Sequence, residues 1–257
     1  MSTLENAVAV LRLFASDRME LTVTDAARAL GTPKSSMSRL LKSMRAAGLL
    51  TGAGDAPRYR LGSLLFEITQ AHRQNSVLMD LADTELRAIC EATRHTGYIS
   101  ILDGTDVLVL RMFPGREALR VVTPLGSRAA AAATSNGRAL LARLSDADVR
   151  SLHPQRLRPA SANAPRSMTD LLARLADMRA NGWCEAIDEA IPGVHSIAVA
   201  VFNAAQDEAL AFCLSFPVGQ ESEIGVRRMI RMLTDAARRI AERTGDQYWL
   251  SLPAEAA

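Results

Sequence analysis

The sequence predicts an α+β protein in two parts: an N-terminal winged helix-turn-helix, then a linker helix leading to a domain built on an antiparallel sheet. Three observations predict it. Positive charge is concentrated at the N-terminal end. Two helical patterns meet there at one Gly-containing turn and are followed by two short β-rich runs. From residue 77 onward, strands come in hairpin-linked groups with helices between the groups, which favours an antiparallel sheet. The 257 residues suffice for two ordinary domains. The expected boundaries are 1–62 for the winged helix-turn-helix, 63–76 for the linker helix and 77–257 for the sheet domain.

An apolar fraction of 48% with 23% charged residues is that of a globular protein with a sizeable core. No apolar run approaches the roughly 18–20 residues of a membrane helix, so no membrane partner is expected. The start, Met1-Ser2-Thr3-Leu4-Glu5, has no basic stretch followed by an apolar one, so a cytoplasmic location without a signal peptide is expected. Cys90, Cys184 and Cys213 are far apart and odd in number, which argues against a disulfide framework. His72, His95, His153 and His195 are isolated and lack metal-ligand spacing, so neither a metal nor a cofactor is expected. Residues 1–60 hold nine Lys and Arg against five Asp and Glu, a balance of +4, whereas residues 61–257 balance at −2. The charge is densest over 31–47, which contain Lys34, Arg39, Lys42 and Arg45, no acid, and both lysines of the chain. Such a stretch is the electrostatic footprint of phosphate binding, with a merely solvated helix face as the alternative on charge alone.

Leu4 to Ala15 reads as a helix with Ala7, Val8, Leu11 and Phe14 on one face. A second helix starts at Thr22-Val23-Thr24-Asp25, capped by Thr22 or Thr24, buries Ala26, Ala27 and Leu30, and ends at Gly31. A third restarts at once, with Thr32 suited to the N-cap and Pro33 to the first helical position, and runs to about Ala47. Two helices joined this tightly make a helix-turn-helix. In the third helix Met37, Leu40, Leu41 and Met44 point to the core, while Ser35, Ser38, Lys42 and Arg45 share the opposite face. Short hydroxyls near the start can reach base edges in a major groove, and the cations further along can reach phosphates. Leu49-Leu50-Thr51 and Arg58-Tyr59-Arg60-Leu61 are strands around the turn-forming run 52–57. This hairpin is a wing, with Arg58 and Arg60 alternating onto one side where both can face a DNA backbone. The alternative for 4–61 is a packing module that binds no nucleic acid. Ser63 to about Gln74 is an amphipathic helix with Leu64, Leu65, Ile68 and Ala71 on its apolar side, offered either to a partner subunit or to its own domain.

In the second part, Val77–Arg94 is a helix. Tyr98–Leu102 and Val107–Met112 are strands around the turn Asp103–Asp106, and Leu119–Thr123 is a third strand. Thr134–Leu144 is a helix, 153–166 an exposed loop, and Met168–Asn181 a helix closed by Gly182. Ser196–Phe202 and Ala209–Ser215 are strands, and Glu221–Arg243 is a long final helix. Cys90, Cys184, Trp183 and Trp249 read as packing residues. Asp188 and Glu189 are adjacent, so on a strand they would face opposite sides and form no carboxylate pair.

These residues resemble the IclR family of bacterial transcription regulators. The opening 4–11, the segments Thr24–Gly31 and Pro33–Leu41, and the wing end Arg58–Gly62 resemble its first helix, helix-turn-helix and wing. Ser135–Ala142 resembles a glycine-plus-cation helix start in its second half, and Asn181-Gly182-Trp183 through Glu189 with Pro192–Ala198 its most recognisable segment. The match runs through nearly the whole chain in order. It implies DNA contacts from Thr24, Pro33, Lys34, Ser36 and Arg39 beside the residues above, and a GAF-like effector-binding domain. It also implies a homodimer made through the DNA-binding ends, often a dimer of dimers, on palindromic double-stranded operators usually near catabolic genes. Repression or activation depends on the member.

The helix start at Ser135-Asn136-Gly137 is expected to offer backbone N–H groups and the positive end of the helix dipole, which suit a carboxylate. The resemblance implies a pocket between this helix start and the sheet, and the matching positions are Val121, Ser135, Asn136, Ser196, Cys213 and Ser215. Ser196 and Ser215 are polar residues in apolar strands, whose hydroxyls need a ligand or a backbone carbonyl. The chain departs from the family pattern at Ala186, where some members have an acid, at Ala200, where many have proline, and at Ser215-Phe216, where a Ser-Gly pair is common. These changes make the pocket more apolar and leave the effector class open, with a small organic or aromatic acid as the working expectation. The function expected is therefore a DNA-binding regulator gated by such an acid. A regulator with a degenerate sensor and an enzyme acting on a small acid remain as alternatives. Against the enzyme, and hence against any catalytic residue, the sequence has no Gly-x-Ser-x-Gly elbow, phosphate-binding loop, dinucleotide fingerprint or zinc motif.

Overall fold

Local signals at the N-terminal end place most of its elements. In the computed structural model, which describes residues 2–14, 19–52, 58–74 (backbone alone over 70–74), 76–153, 157 and 159–253, contacts divide the chain into two units, Met1–Ser76 and Val77–Ala257. Helix α1 spans Thr3–Phe14 and buries Val10 and Phe14. Its inward stripe is Ala7, Val10, Leu11 and Phe14. Val8, expected on that stripe, is 41% exposed, because one residue turns a helix by about 100° and carries Val8 away from Ala7. Strand β1, Leu21–Thr22, leads into α2, Val23–Leu30. Thr22 caps α2, its Oγ1 accepting the Asp25 N–H at 3.1 Å, and Gly31 ends it in the left-handed region at φ +62°.

Helix α3 spans Lys34–Ala46 with Pro33, not Thr32, at its N-cap. Thr32 still belongs to the end of α2, where its N–H donates to the Ala27 carbonyl at 3.0 Å, so the next helix starts one residue later than the sequence implies. Met37, Leu41 and Met44 are buried as expected, and Leu40 is half-buried. They close a core with Val10, Phe14, Leu21, Ala26, Ala27, Leu50 and Tyr59. The wing strands are β2, Leu50–Gly52, and β3, Arg58–Leu61; the sheet order is β1-β3-β2, all antiparallel. The two-residue β1 is too short to leave a sequence pattern; of the turn expected over 52–57, Gly52 belongs to β2 and the rest lies outside the described residues. Helix α4, Ser63–Gln74, half-buries Leu64 and Leu65 but leaves Phe66 and Ile68 exposed; the side chain of Ala71 lies outside the described residues.

The second unit begins with α5, Val77–Thr93, and the hairpin β4, Thr96–Asp103, and β5, Asp106–Phe113. Gly104 turns that hairpin at φ +63°. The third strand is β6, Arg128–Ala130, paired to β5, and not the expected Leu119–Thr123. That apolar run finds its hydrogen bonds elsewhere: the Tyr98 hydroxyl donates to the Val121 carbonyl at 3.0 Å and accepts the Thr123 N–H at 2.8 Å. A 3-10 turn at Ala131–Ala133 precedes α6, Ser135–Leu141, capped by Thr134. The helix stops short of Leu144 because Arg143 and Leu144 donate to the carbonyls three residues back, the tighter 3-10 pattern. Then come α7, Asp146–Leu152; α8, Met168–Asn181, closed by Gly182 at φ +83°; and β7, Cys184–Ile187. Strands β8, Val194–Asn203, and β9, Glu208–Pro217, precede α9, Glu223–Thr244, and α10, Gln247–Ser251. The elements α7, β7 and α10 have no counterpart in the expectations. The stretch 153–166 has no helix or strand in its described part and is not wholly exposed, since Ala164 and Pro165 are buried.

The six strands order β6-β5-β4-β9-β8-β7, all antiparallel. The fully paired β8–β9 ladder sets the character of each face. Ile197, Val199, Val201, Leu210, Phe212, Leu214 and Phe216 pack with α5 and α9 in one core. The alternate residues Ala198, Ala200, Ala211 and Cys213 pack with α6 and α8 in another. Large side chains fill the first face, and small ones leave room on the second. No helix among the described residues is long and apolar enough to cross a membrane.

Candidate functional site

Ser35, Ser36, Arg39, Lys42 and Arg45 are exposed on α3, Lys34 and Pro33 are exposed at its start, Ser38 is half-buried, and Thr24 is half-buried in the first turn of α2. None of Lys34, Arg39, Lys42 and Arg45 forms an ion pair among the described residues. Arg45 also lies beside the wing, its Nη1 3.2 Å from where a Cβ on Gly52 would sit. The predicted residues do not all share one face: Ser36 and Arg39 line a separate depression between α1 and α3 with Thr3, Asn6, Thr32 and Ser43. The wing arginines differ from those of α3. Arg58 donates to Glu20 Oε2 at 3.0 Å, and Arg60 Nε to Glu20 Oε1 at 2.8 Å. Hydrogen bonds from Arg60, then from Arg58, hold the Glu20 carboxyl below its usual pKa range. Sequence reasoning missed this clamp, because Glu20 is 38 and 40 residues from its partners. Glu20→Gln is expected to raise affinity for DNA of any sequence and to steepen its salt dependence by about one to two phosphate contacts. Fluorescence titrations across a salt series test it, and an unchanged slope removes Arg58 and Arg60 from the phosphate contacts.

On the small-residue face of the second unit lies a cavity of about 110 Å³, lined by Val121, Ser135, Asn136, Ser196, Cys213 and Ser215, six of the seven expected positions. Gly137 is not in the lining. Its N–H donates to Thr134 Oγ1 at 3.0 Å, and a Cβ there would lie 2.1 Å from the Ala131 carbonyl, so this glycine permits close packing. With that amide capped, the helix start offers an anion less than its sequence implies. The lining also holds Tyr98, Ser100 and Thr123, and the apolar Val107, Val109, Ala186, Ile191 and Val194. Ser196 finds its partner in a side chain, accepting from Ser135 Oγ at 2.8 Å. Ser215 Oγ lies 3.8 Å from Cys213 Sγ. Asn136 Nδ2 donates to Ser100 Oγ at 3.0 Å. The charged residue of the lining, Glu189, is buried and forked by Arg138, with Arg174 Nη1 3.2 Å away.

Burial pushes the Cys213 thiol up to about 12, against hydrogen bonds from Ser215, Tyr98 and Asn136, and pushes Cys90 up to about 12 as well; Cys184 is raised by the same cause. The folded chain therefore keeps protons that unfolded thiols lose from their ordinary value of 9.0, so stability falls as pH rises from about 9 toward 12. A disulfide reagent at pH 8 is expected to find no rapidly reacting thiol in the native chain and three after denaturation. Fast native labelling contradicts the closed packing of these residues.

Comparisons with known proteins bear on both sites. Residues 3–53 match the IclR helix-turn-helix domain, and residues 70–242 match the C-terminal domain of the bacterial transcriptional regulator IclR. The chain belongs to the IclR family. It is 29% identical over 239 residues to the HTH-type transcriptional regulator BhcR of Paracoccus denitrificans, covering 93% of this chain and 85% of that one. It is 27% identical over 237 residues to KdgR of Dickeya chrysanthemi, with 92% and 77% coverage. An IclR homologue from Microbacterium hydrocarbonoxydans, crystallised with 4-hydroxybenzoate, shares the fold at a TM-score of 0.78 and 23% identity, with 95% and 99% of the chains covered. The chain is thus a DNA-binding transcription regulator of IclR type, and its named relatives are regulators. The exposed α3 face and the cavity beside α6 gather most of the residues that the sequence singles out.

Proposed function

We propose that operator affinity is set by a small organic or aromatic acid bound in the 110 Å³ cavity. The DNA-binding part is 1–62, the linker 63–76 and the effector-binding part 77–257. On DNA, Ser35 and Ser38 read base edges and Lys34, Arg39, Lys42 and Arg45 hold phosphates, with Thr24, Pro33 and Ser36 at the backbone and the wing arginines alongside. Val121, Ser135, Asn136, Ser196, Cys213 and Ser215 line the effector site. The observation that carries this reading is the cavity on the small-residue sheet face, occurring in one chain with an exposed helix whose cations form no ion pair among the described residues. The bound 4-hydroxybenzoate of the Microbacterium homologue supports an aromatic acid as the effector. The exposed Leu4 and Val8 on α1 and Phe66 and Ile68 on α4 support a homodimer, or a dimer of dimers, made through the DNA-binding ends. The regulated genes are proposed to be catabolic.

Genomic operator fragments are captured with the full chain, and binding is titrated with and without small acids suggested by the neighbouring genes. A specific fragment whose affinity shifts about 5- to 150-fold with one acid supports the proposal. Specific binding that no acid shifts leaves a regulator with a degenerate sensor, and turnover of an acid supports the enzyme alternative. Equal binding to random DNA overturns the assignment of α3.

A further inference from the structure

Helix α9 has one face in the core and another in solvent. Met229, Ile230, Leu233, Ala236, Ala237 and Ile240 point inward and are buried on the large-residue side of the sheet. Ile224, Arg227, Arg228 and Arg231 fall within about 100° of arc on the outward side. All four are exposed, Ile224 at 80%. None of these three arginines forms an ion pair or side-chain hydrogen bond among the described residues. The acids one turn away, Glu223 and Asp235, pair with neither Arg227 nor Arg231. The C-terminal half of the same helix behaves otherwise: Arg238 donates to the carbonyls of Leu252 and Pro253 at 2.8 Å, and Arg239 forks Glu85 at 2.7 and 3.0 Å. Beside the open stripe, Arg227 and Arg231 border a surface groove with Ile230 and the half-buried Trp183.

We propose that this stripe and groove bind an acidic segment of a second protein that also carries an apolar side chain. Its carboxylates pair with Arg227, Arg228 and Arg231, and its apolar side chain packs against Trp183 and Ile224. Unpaired guanidinium groups suit carboxylates or phosphates, which they can fork. The apolar neighbours decide between the two. A duplex backbone presents charge without a hydrocarbon partner for Trp183 and Ile224, whereas a peptide brings both. Trp and Arg together are also the residue types that anchor protein interfaces. The rise along α9 from Arg227 to Arg231 is about 6 Å, close to the roughly 6.5 Å between alternate residues of an extended chain, so acids at alternate positions reach both. Because α9 covers the sheet face opposite the cavity, this surface is separate from the proposed effector site.

The probe is a fluorescent peptide with two Asp-Gly-Asp-Leu repeats, titrated by anisotropy against the full chain. Asn replaces Asp in one control peptide, and Ser replaces Leu in another. The acidic, Leu-bearing peptide is expected to bind saturably and about tenfold or more tighter than either control. Arg227→Gln combined with Arg231→Gln should lower its affinity by at least about tenfold. Ile224→Ser, at an exposed position outside the core, should also weaken it and serves if the double variant does not fold. Saturating random duplex DNA should leave the affinity within about twofold, since DNA occupies α3. No saturable binding up to about millimolar chain overturns the inference. So does equal binding of the Ser control, which makes the surface merely electrostatic. Displacement by duplex DNA places the peptide on the DNA-binding face and overturns it too. A double variant that binds the operator with a reduced salt slope assigns these arginines to phosphates, and one with an altered oligomeric state assigns the face to a second copy of the chain. Either result overturns the proposal.

Discussion

Arg138→Met is expected to lower the stability of the Val77–Ala257 unit by about 3–5 kcal/mol, the cost of stripping one partner from a buried ion pair. Arg138 is 2% exposed and Glu189 5%. The guanidinium forks the Glu189 carboxylate, with Nη2 2.9 Å from Oε1, and also donates to the carbonyls of Ala132, at 3.0 Å, and Glu185. Met fills a similar volume but leaves a buried carboxylate and two buried carbonyls unmet. Arg174, the remaining cation at 3.2 Å, is a third exposed and is screened accordingly. Arg138→Met combined with Glu189→Met should recover much of the loss, since removing both charges avoids stranding either. Urea denaturation followed by tryptophan fluorescence tests this, as both tryptophans, Trp183 and Trp249, lie in this unit and Trp249 is buried. A loss under about 1 kcal/mol for the single variant means that Glu189 is sustained by Arg174 alone. Because Glu189 lines the cavity, the single variant should also lose its ligand response at temperatures where it remains folded.

What the sequence revealed and what it hid differ by range. Thr22 as a cap, Gly31 and Gly182 as helix ends, and Met37, Leu41 and Met44 as a buried stripe depend on residues within a few positions of each other, where spacing alone carries the information. The Glu20 clamp on Arg58 and Arg60, and the convergence of Tyr98, Ser100 and Glu189 on the cavity, depend on segments brought together only by the sheet. Leu119–Thr123 failed as a strand because its apolar pattern is that of a segment with one side inward, and the Tyr98 hydroxyl supplied its backbone bonds in place of a neighbouring strand. The position of the cavity did leave a signal in sequence. Ser196, Ala198 and Ala200 alternate with Ile197, Val199 and Val201, and Ala211, Cys213 and Ser215 with Phe212, Leu214 and Phe216. A strand pair that is bulky on one face and small on the other has room for a guest on the small face. The wall residues matched by family resemblance lie partly on that face.

Ser35→Glu and Lys42→Ala are expected to weaken operator binding in distinguishable ways, since one residue is assigned to bases and the other to phosphates. Ser35 is exposed in the first turn of α3, where a recognition helix enters the groove, and its short side chain lets the backbone approach. Glutamate there adds length and a negative charge beside the duplex, and losing one base contact alone costs about 1–3 kcal/mol. Operator affinity should therefore fall by at least about ten- to a hundredfold, with a much smaller loss on random DNA, so that the specificity ratio collapses. Lys42, two turns further along and free of any ion pair among the described residues, should behave otherwise. Its removal should weaken operator and random DNA about equally and reduce the slope of log affinity against log salt by about one, the signature of a single phosphate contact. Titrations of both variants on both DNAs between 50 and 200 mM salt, about the range over which such slopes are read, separate the roles. If Lys42→Ala leaves the slope intact, that lysine is a solvated side chain. If Ser35→Glu lowers both affinities in parallel, the base-reading face of α3 lies elsewhere, and Arg39, which faces α1, becomes the residue to substitute next.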